Sequence, residues 1–213
     1  MDNFNVYKDI QARTKGEIYI GVVGPVRTGK STFIKRFMEL AVLPAMEDES
    51  LKAVSTDELP QSAGGKTVMT TEPKFIPKEA VQITLGDGIQ AKVRLIDCVG
   101  YMVDGAAGHV ENGEERMVKT PWSEKEIPFT QAAQIGTRKV IGDHSTIGIV
   151  VTTDGSVGEL KRSAYIDAEK QTVDELKKLG KPFILLLNST KPYSDETLKL
   201  AEQLAAGKRP GNG

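Results

Sequence analysis

Gly24-Pro25-Val26-Arg27-Thr28-Gly29-Lys30-Ser31 matches the phosphate-binding pattern G-x-x-x-x-G-K-[ST], and its reading decides the fold. An apolar run, Ile18-Tyr19-Ile20-Gly21-Val22-Val23, leads into it, and an amphipathic stretch from Thr32 to Leu43 leads out. This is the strand, loop and helix setting that the pattern requires. Glycines let successive backbone N–H groups curl around a polyphosphate, Lys30 brings positive charge to the β/γ oxygens, and Ser31 offers a hydroxyl to Mg²⁺. The helix also points its positive dipole end at the same phosphates. Gly24, Arg27, Thr28, Gly29, Lys30, Ser31 and Thr32 are therefore candidate nucleotide-binding residues.

The chain has 213 residues, 39% apolar and 27% charged, which suits one substantial α/β domain. Twenty-eight basic and 29 acidic residues leave a net charge of −1, so no global field favours nucleic acid or an anionic membrane. The single Cys98 excludes an intramolecular disulfide framework and fits a reducing compartment. No continuous apolar run suggests a leader or a membrane span, and the expected location is cytoplasmic.

Outward from the loop, residues 4–14 carry a weak helical period and predict a short helix. Phe33, Ile34, Phe37, Met38 and Leu40 predict a core-facing helical stripe that Pro44 ends. Residues 45–66 are polar and aperiodic and read as a long mobile loop. Val81–Leu85 and Ile89–Ile96, joined by Gly86-Asp87-Gly88, read as a β-hairpin. Its second strand runs into Asp97-Cys98-Val99-Gly100. An acid at the end of such a strand is suited to hold Mg²⁺, with the Gly100 backbone near the γ-phosphate, although alone the same residues read as a turn. Residues 101–129 read as irregular, either a solvated loop or a lid or partner surface. A helix at 131–142, a buried strand at 146–153, a helix at 163–179, a buried strand at 182–188 and a helix at 194–206 capped by Ser194 complete the pattern.

The fold class is α/β, a P-loop NTPase with a mainly parallel sheet, one antiparallel edge strand at 81–85 and helices on both faces. No apolar run follows Ala206 to close the sheet, so the edge beside 182–188 is expected to be open and the chain marginally soluble. His109 and His144 lack partners at ligand spacing and are not metal candidates. Residues 1–206 read as one nucleotide-binding domain and 207–213 as a disordered tail.

The hairpin feeding the D-x-x-G strand, the Thr70-Thr71 segment before it and Leu187-Asn188-Ser189-Thr190-Lys191-Pro192 resemble the translation-factor-related class of P-loop GTPases. More narrowly, Gly24–Ser31, Asp57-Glu58-Leu59-Pro60-Gln61-Ser62-Ala63, Thr70-Thr71-Glu72-Pro73-Lys74-Phe75, Asp97–Gly100 and Ile135-Gly136-Thr137-Arg138-Lys139-Val140-Ile141 resemble the stage IV sporulation protein A family, spore coat morphogenetic ATPases of endospore-forming bacteria. The resemblance covers residues 2–206. It implies Mg-dependent ATP hydrolysis that drives self-polymerisation into a scaffold on the outer forespore membrane, in the mother-cell cytoplasm, with recruitment by a small amphipathic membrane-bound peptide and contacts to other coat proteins. It also implies that Lys30 holds the β/γ phosphates, that Ser31 and Asp97 organise Mg²⁺, and that Thr70 or Thr71 senses the γ-phosphate, Thr71 being a candidate metal ligand. The family continues into a last strand and further domains beyond this sequence, so ordered polymers are not expected of this chain by itself.

Two departures from the GTPase pattern matter. Asn188, a candidate cofactor-binding residue, is kept, but Ser189 replaces the usual Lys and Lys191 stands where an Asp accepts both guanine N–H donors. A cation cannot accept those hydrogen bonds, and each buried unpaired donor costs about 1–3 kcal/mol. Tyr101 follows Gly100 where many switch GTPases carry a water-positioning Gln. Arg27 stands where cation-dependent relatives carry a potassium-binding Asn; it reads either as a solvated arginine or as a charge supplied in cis. The rival readings are a GTPase with a different base-recognition loop and a structural module that binds nucleotide without turnover.

Overall fold

The structure, a computed structural model, describes residues 16–60, 72–84, 90–106, 108–111 and 113–207. The expected helix at 4–14, the Gly86-Asp87-Gly88 turn, Thr70, Thr71 and residues 208–213 lie outside the described residues.

The chain order is β1 (Glu17–Val23), α1 (Lys30–Phe37), α2 (Glu49–Asp57), β2 (Lys74–Thr84), β3 (Gln90–Asp97), two short hairpins, α3 (Phe129–Lys139), β8 (Ile147–Thr153), α4 (Ile166–Lys178), β9 (Phe183–Asn188) and α5 (Asp195–Ala205). The hairpins pair β4 (Val110–Glu111) with β5 (Glu114–Glu115) and β6 (Met117–Thr120) with β7 (Ser123–Pro128). The main sheet runs β2-β3-β1-β8-β9. β3, β1, β8 and β9 are mutually parallel, and β2 is antiparallel to β3.

The period of two along the parallel strands sorts side chains onto two cores. Ile18, Ile20, Val22, Val93, Leu95, Ile149 and Val151 face the side covered by Ile34, Met38 and Val42 of α1 and its continuation. Val23, Ile96 and Val150 face the other side, against Val140 and Ile141 beyond α3 and Val173 and Leu176 of α4. Helices thus lie on both faces of a mainly parallel sheet. Beneath β8 a polar contact is sealed into this second layer. Arg162 Nη2 lies 2.7 Å from Glu169 Oε2, the Thr152 hydroxyl donates to the same oxygen at 2.6 Å, and Glu169 is fully buried.

Several segments differ from the sequence expectation. Leu40 is 76% exposed and does not belong to the core stripe. Met38–Val42 forms a π-turn, whose extra residue rotates the chain so that Val42 and Leu43 point inward instead. Pro44 then sits in the 3-10 turn Leu43–Ala45 that ends the helix. The expected loop at 45–66 contains α2, nucleated by Asp48, whose carboxylate accepts from the N–H groups of Ser50 and Leu51. β2 starts at Lys74 rather than Val81. The register jumps between Ile76 and Val81, and Pro77, which has no N–H to give a ladder, lies in that bulge. The irregular region at 101–129 is instead built partly from the two hairpins; Arg116 lies over the Phe129 ring at 4.5 Å, and Glu115 Oε1 accepts from Thr130 N at 3.0 Å at the start of α3. β9 is only partly buried, with Ile184 62% exposed, because among the described residues no strand pairs its outer side.

Gly21 lies where the end of the α3 segment crosses β1. A Cβ there would meet Ser145 Cβ at 2.8 Å and Val140 Cγ1 at 3.0 Å. Both neighbours are buried and tied to backbone, so overpacking is not relieved by a rotamer change. Gly21→Ala should lower stability by about 1–3 kcal/mol, measured by denaturant unfolding of the two proteins.

Candidate functional site

The site is assembled where β1 and β3 end side by side, since Val22 is in register with Asp97. The chain then turns through Gly24–Gly29 into α1. Arg27 takes a left-handed φ of 61°, the only positive φ at a non-glycine among the described residues. Thr28 is buried, and its hydroxyl donates to the Pro25 carbonyl at 3.0 Å. Gly29, at φ 93°, is the N-cap of α1. Thr32 is exposed on the first turn of that helix.

Lys30 is 5% exposed, and its ammonium donates to the carbonyls of Pro25 at 2.6 Å and Gly24 at 3.4 Å. Ser31 Oγ donates to Asp97 Oδ2 at 3.1 Å. Burial pushes the Lys30 ammonium toward deprotonation, and the neighbouring Asp97 carboxylate opposes that. Burial likewise raises the Asp97 carboxyl, with Lys30 and the Ser31 hydroxyl pulling it back down. The other Asp97 oxygen, Oδ1, is buried with no hydrogen-bond partner. A hard cation beside Ser31 suits that oxygen, so the donor set fits a magnesium ion whose remaining ligands are phosphate and water. Among the described residues no group of three or more His, Cys, Asp or Glu is placed to hold a metal without them. Cys98 is buried, and burial pushes its thiol up to about 11, which removes it as a nucleophile at neutral pH.

Gly100 closes the site from β3. At φ 94° a Cβ would stand 2.1 Å from the Gly24 carbonyl oxygen and 2.6 Å from Lys30 Nζ, so only glycine lets this backbone reach the loop. Tyr101 continues the contact as a short parallel bridge: its N–H donates to Gly24 O at 3.2 Å and its carbonyl accepts from Val26 N–H at 2.9 Å. Its side chain turns away from the phosphate side into the second core, where the hydroxyl donates to Glu175 Oε2. It is therefore not placed to orient an attacking water.

Asn188 reaches the same loop from the end of β9. Its Nδ2 donates to the Thr28 carbonyl at 3.0 Å, bracing the loop from behind. Lys191, where guanine recognition would need a carboxylate, is exposed. Sequence reasoning passed over Asp154, which organises this end of the sheet. Its Oδ1 accepts from the N–H and hydroxyl of Ser156 at 2.8 and 2.6 Å, and its Oδ2 accepts from Ser189 Oγ at 2.6 Å. Burial alone would raise this carboxyl, but the hydrogen bonds from Ser156, Ser189 and Thr197 outweigh it and hold it below the usual range. The available signal was an acid ending a buried strand before Gly155-Ser156, the same kind of signal that singled out Asp97. The structure thus brings Gly24, Arg27, Thr28, Gly29, Lys30, Ser31, Thr32, Asp97, Gly100 and Asn188 to one end of the sheet.

Comparison with known proteins agrees with this architecture. The family model described as "Stage IV sporulation protein A, ATPase domain" matches residues 1–208. The chain is 56% identical over 205 residues to stage IV sporulation protein A of Bacillus subtilis (strain 168), covering 96% of this chain and 42% of that protein. The figures are the same for the Bacillus anthracis protein. For Clostridioides difficile (strain 630) the identity is 55% over 202 residues, covering 95% of this chain and 41% of the relative. The chain thus spans about two fifths of the length of these curated relatives. A match over nearly the whole chain, joined to a phosphate loop on a mainly parallel sheet, places this chain in the stage IV sporulation protein A family, in the part described as its ATPase domain.

Proposed function

We propose that this chain binds ATP at residues 24–32 and hydrolyses it by in-line attack of water, as the nucleotide-consuming part of a scaffold that assembles at the forespore surface. The reading rests on one arrangement above all: the Ser31 hydroxyl meets the Asp97 carboxylate at 3.1 Å beside the buried ammonium of Lys30. Ser31 and Asp97 would hold the magnesium ion, which would supply positive charge to offset the negative charge that builds on the phosphate. Lys30, already held by two loop carbonyls, presents a fixed positive charge to the β/γ oxygens and needs no reorganisation as the bond breaks. Gly100 brings a backbone N–H to the γ-phosphate side, and Thr70 or Thr71 supplies the hydroxyl that senses that group. Asn188 acts on the loop rather than on the base, and Lys191 offers no acceptor to guanine where a carboxylate would be needed. Arg27 shapes the loop through its left-handed φ of 61°.

The family's part in sporulation supports a place in the spore coat, in the mother-cell cytoplasm at the outer forespore membrane. Self-polymerisation, a small amphipathic membrane-bound peptide and other coat proteins are the partners this implies. Among the described residues no helix is long and apolar enough to cross a membrane.

Lys30→Ala should reduce phosphate release from ATP by about 100-fold or more while leaving the far-ultraviolet circular dichroism unchanged; a folded variant with full turnover overturns the site. Thr70→Ala combined with Thr71→Ala should spare nucleotide binding and lose hydrolysis, because a γ-phosphate contact counts most as charge moves in the transition state. In competition for a labelled nucleotide analogue, ATP should displace at least as well as GTP. A preference of about ten-fold or more for GTP, equivalent to about 1.4 kcal/mol, would instead favour a GTPase.

A further inference from the structure

The segment after Asp97 is packed into the second core. Cys98, Tyr101, Val103 and Ala106 are all buried in the second core. At its centre Tyr101, 3% exposed, joins two different parts of the molecule. Its backbone is zipped to the phosphate loop at Gly24 and Val26, and its hydroxyl is bound by Glu175 on α4. Glu175 is in turn oriented by Arg138 of α3, whose Nε donates to Oε1 at 3.0 Å. Each carboxylate oxygen of Glu175 therefore has its own donor, one from the loop segment and one from the neighbouring helix.

The geometry points to Glu175 and Arg138 as positioning residues for hydrolysis: they fix the Tyr101 ring so that its backbone pins Gly100 against the phosphate loop. The inference rests on the hydrolase reading above and specifies how that site is held. The physical reason is leverage. Gly100 has no side chain of its own to pack, so its close approach to Gly24 O and Lys30 Nζ is held by its neighbours, Cys98 and Val99 in the second core before it and Tyr101, bridged to the loop, after it. A shift of about 1 Å at such a backbone donor can cost up to about 100-fold in rate, because the donor must meet the γ-phosphate as charge moves onto it. Binding of ground-state nucleotide depends mainly on the loop and Lys30 and should change little. The link also ties the site to the outer surface of α3 and α4, since Arg138 is half exposed there.

The test uses Tyr101→Phe, Glu175→Ala, Glu175→Gln and the Tyr101→Phe/Glu175→Ala double variant of the full chain. Tyr101→Phe removes one oxygen and keeps the ring in its apolar bed, so it remains informative where Glu175→Ala compromises folding. Two quantities are read: ATP turnover, and backbone hydrogen exchange across residues 97–103 and 24–27 without nucleotide. Tyr101→Phe and Glu175→Ala should each lower kcat about ten-fold with KM changed less than about two-fold. Both should speed exchange in both segments several-fold. Glu175→Gln, which keeps an acceptor for the Tyr101 hydroxyl, should restore most of kcat, and the double variant should be no worse than the worse single one, since both break the same link. Unchanged exchange in folded variants overturns the inference, as does a loss confined to KM or to thermal stability, or strictly additive losses. If the unsubstituted chain binds ATP and releases no phosphate, it is the hydrolase reading that fails, and the exchange measurement alone decides whether Glu175 pins the segment.

Discussion

An ammonium buried under its own loop is the constraint around which the rest of this structure is built. Lys30 has given up most of its water, and in return it holds two carbonyl groups, at Gly24 and Pro25, and lies beside the Asp97 carboxylate. A buried cation is tolerated only when its partners are fixed in place. That requirement explains the surrounding architecture. β1 and β3 must lie side by side to deliver the loop and the acid together, Gly100 must lack a Cβ for the backbone to come close, and Asn188 must brace Thr28 from behind. The two carbonyls occupy two of the three ammonium donors and fix its place in the loop, so the charge is oriented before nucleotide arrives.

The sheet beneath this site is asymmetric in a way that affects its two ends differently. On one side β3 is covered by a long antiparallel partner, β2, so the strand carrying Asp97 lies inside the sheet. On the other side β9 has no described neighbour beyond it, and Ile184 is largely exposed. The strand ends that build the phosphate site are therefore the well-supported ones, while Asn188 reaches it from the least supported strand. Asp154 offsets this by tying the Ser189 turn to the end of β8 and to Thr197 of α5 through one carboxylate oxygen, Oδ2, which accepts from both hydroxyls.

The family model that this chain matches is described as an ATPase domain. The scaffold is a mainly parallel α/β sheet with the D-x-x-G turn after β3 and an asparagine ending β9. Lys191 is an exposed cation, which cannot accept hydrogen bonds, and Tyr101 lies in the core as a structural link between the loop and α4.

How much of this was legible in the chain follows from the range of the forces involved. The phosphate loop, β1, β3 and its terminal Asp97, β8, α4 and the Ser194 cap are local patterns. They depend on periodicity within one element, or on a side chain reaching a backbone group three residues away, and sequence alone determined them. The sequence set an antiparallel strand at one edge and the 182–188 strand at the other, whereas the order β2-β3-β1-β8-β9 was decided only by the packed sheet. What only the tertiary structure decided depends on contacts between distant segments or on a local change of helical pitch. The π-turn that expels Leu40 and the bulge at Pro77 that hides the first half of β2 each break the simple period that sequence reading relies on, whereas α2 starts from an Asp48 cap as local as that of Ser194 and was hidden by the polar, aperiodic residues after it. The buried Arg162–Glu169 contact and the Tyr101–Glu175–Arg138 chain join residues from separate elements. Their meaning lies in desolvation and geometry, which exist only once the elements have packed.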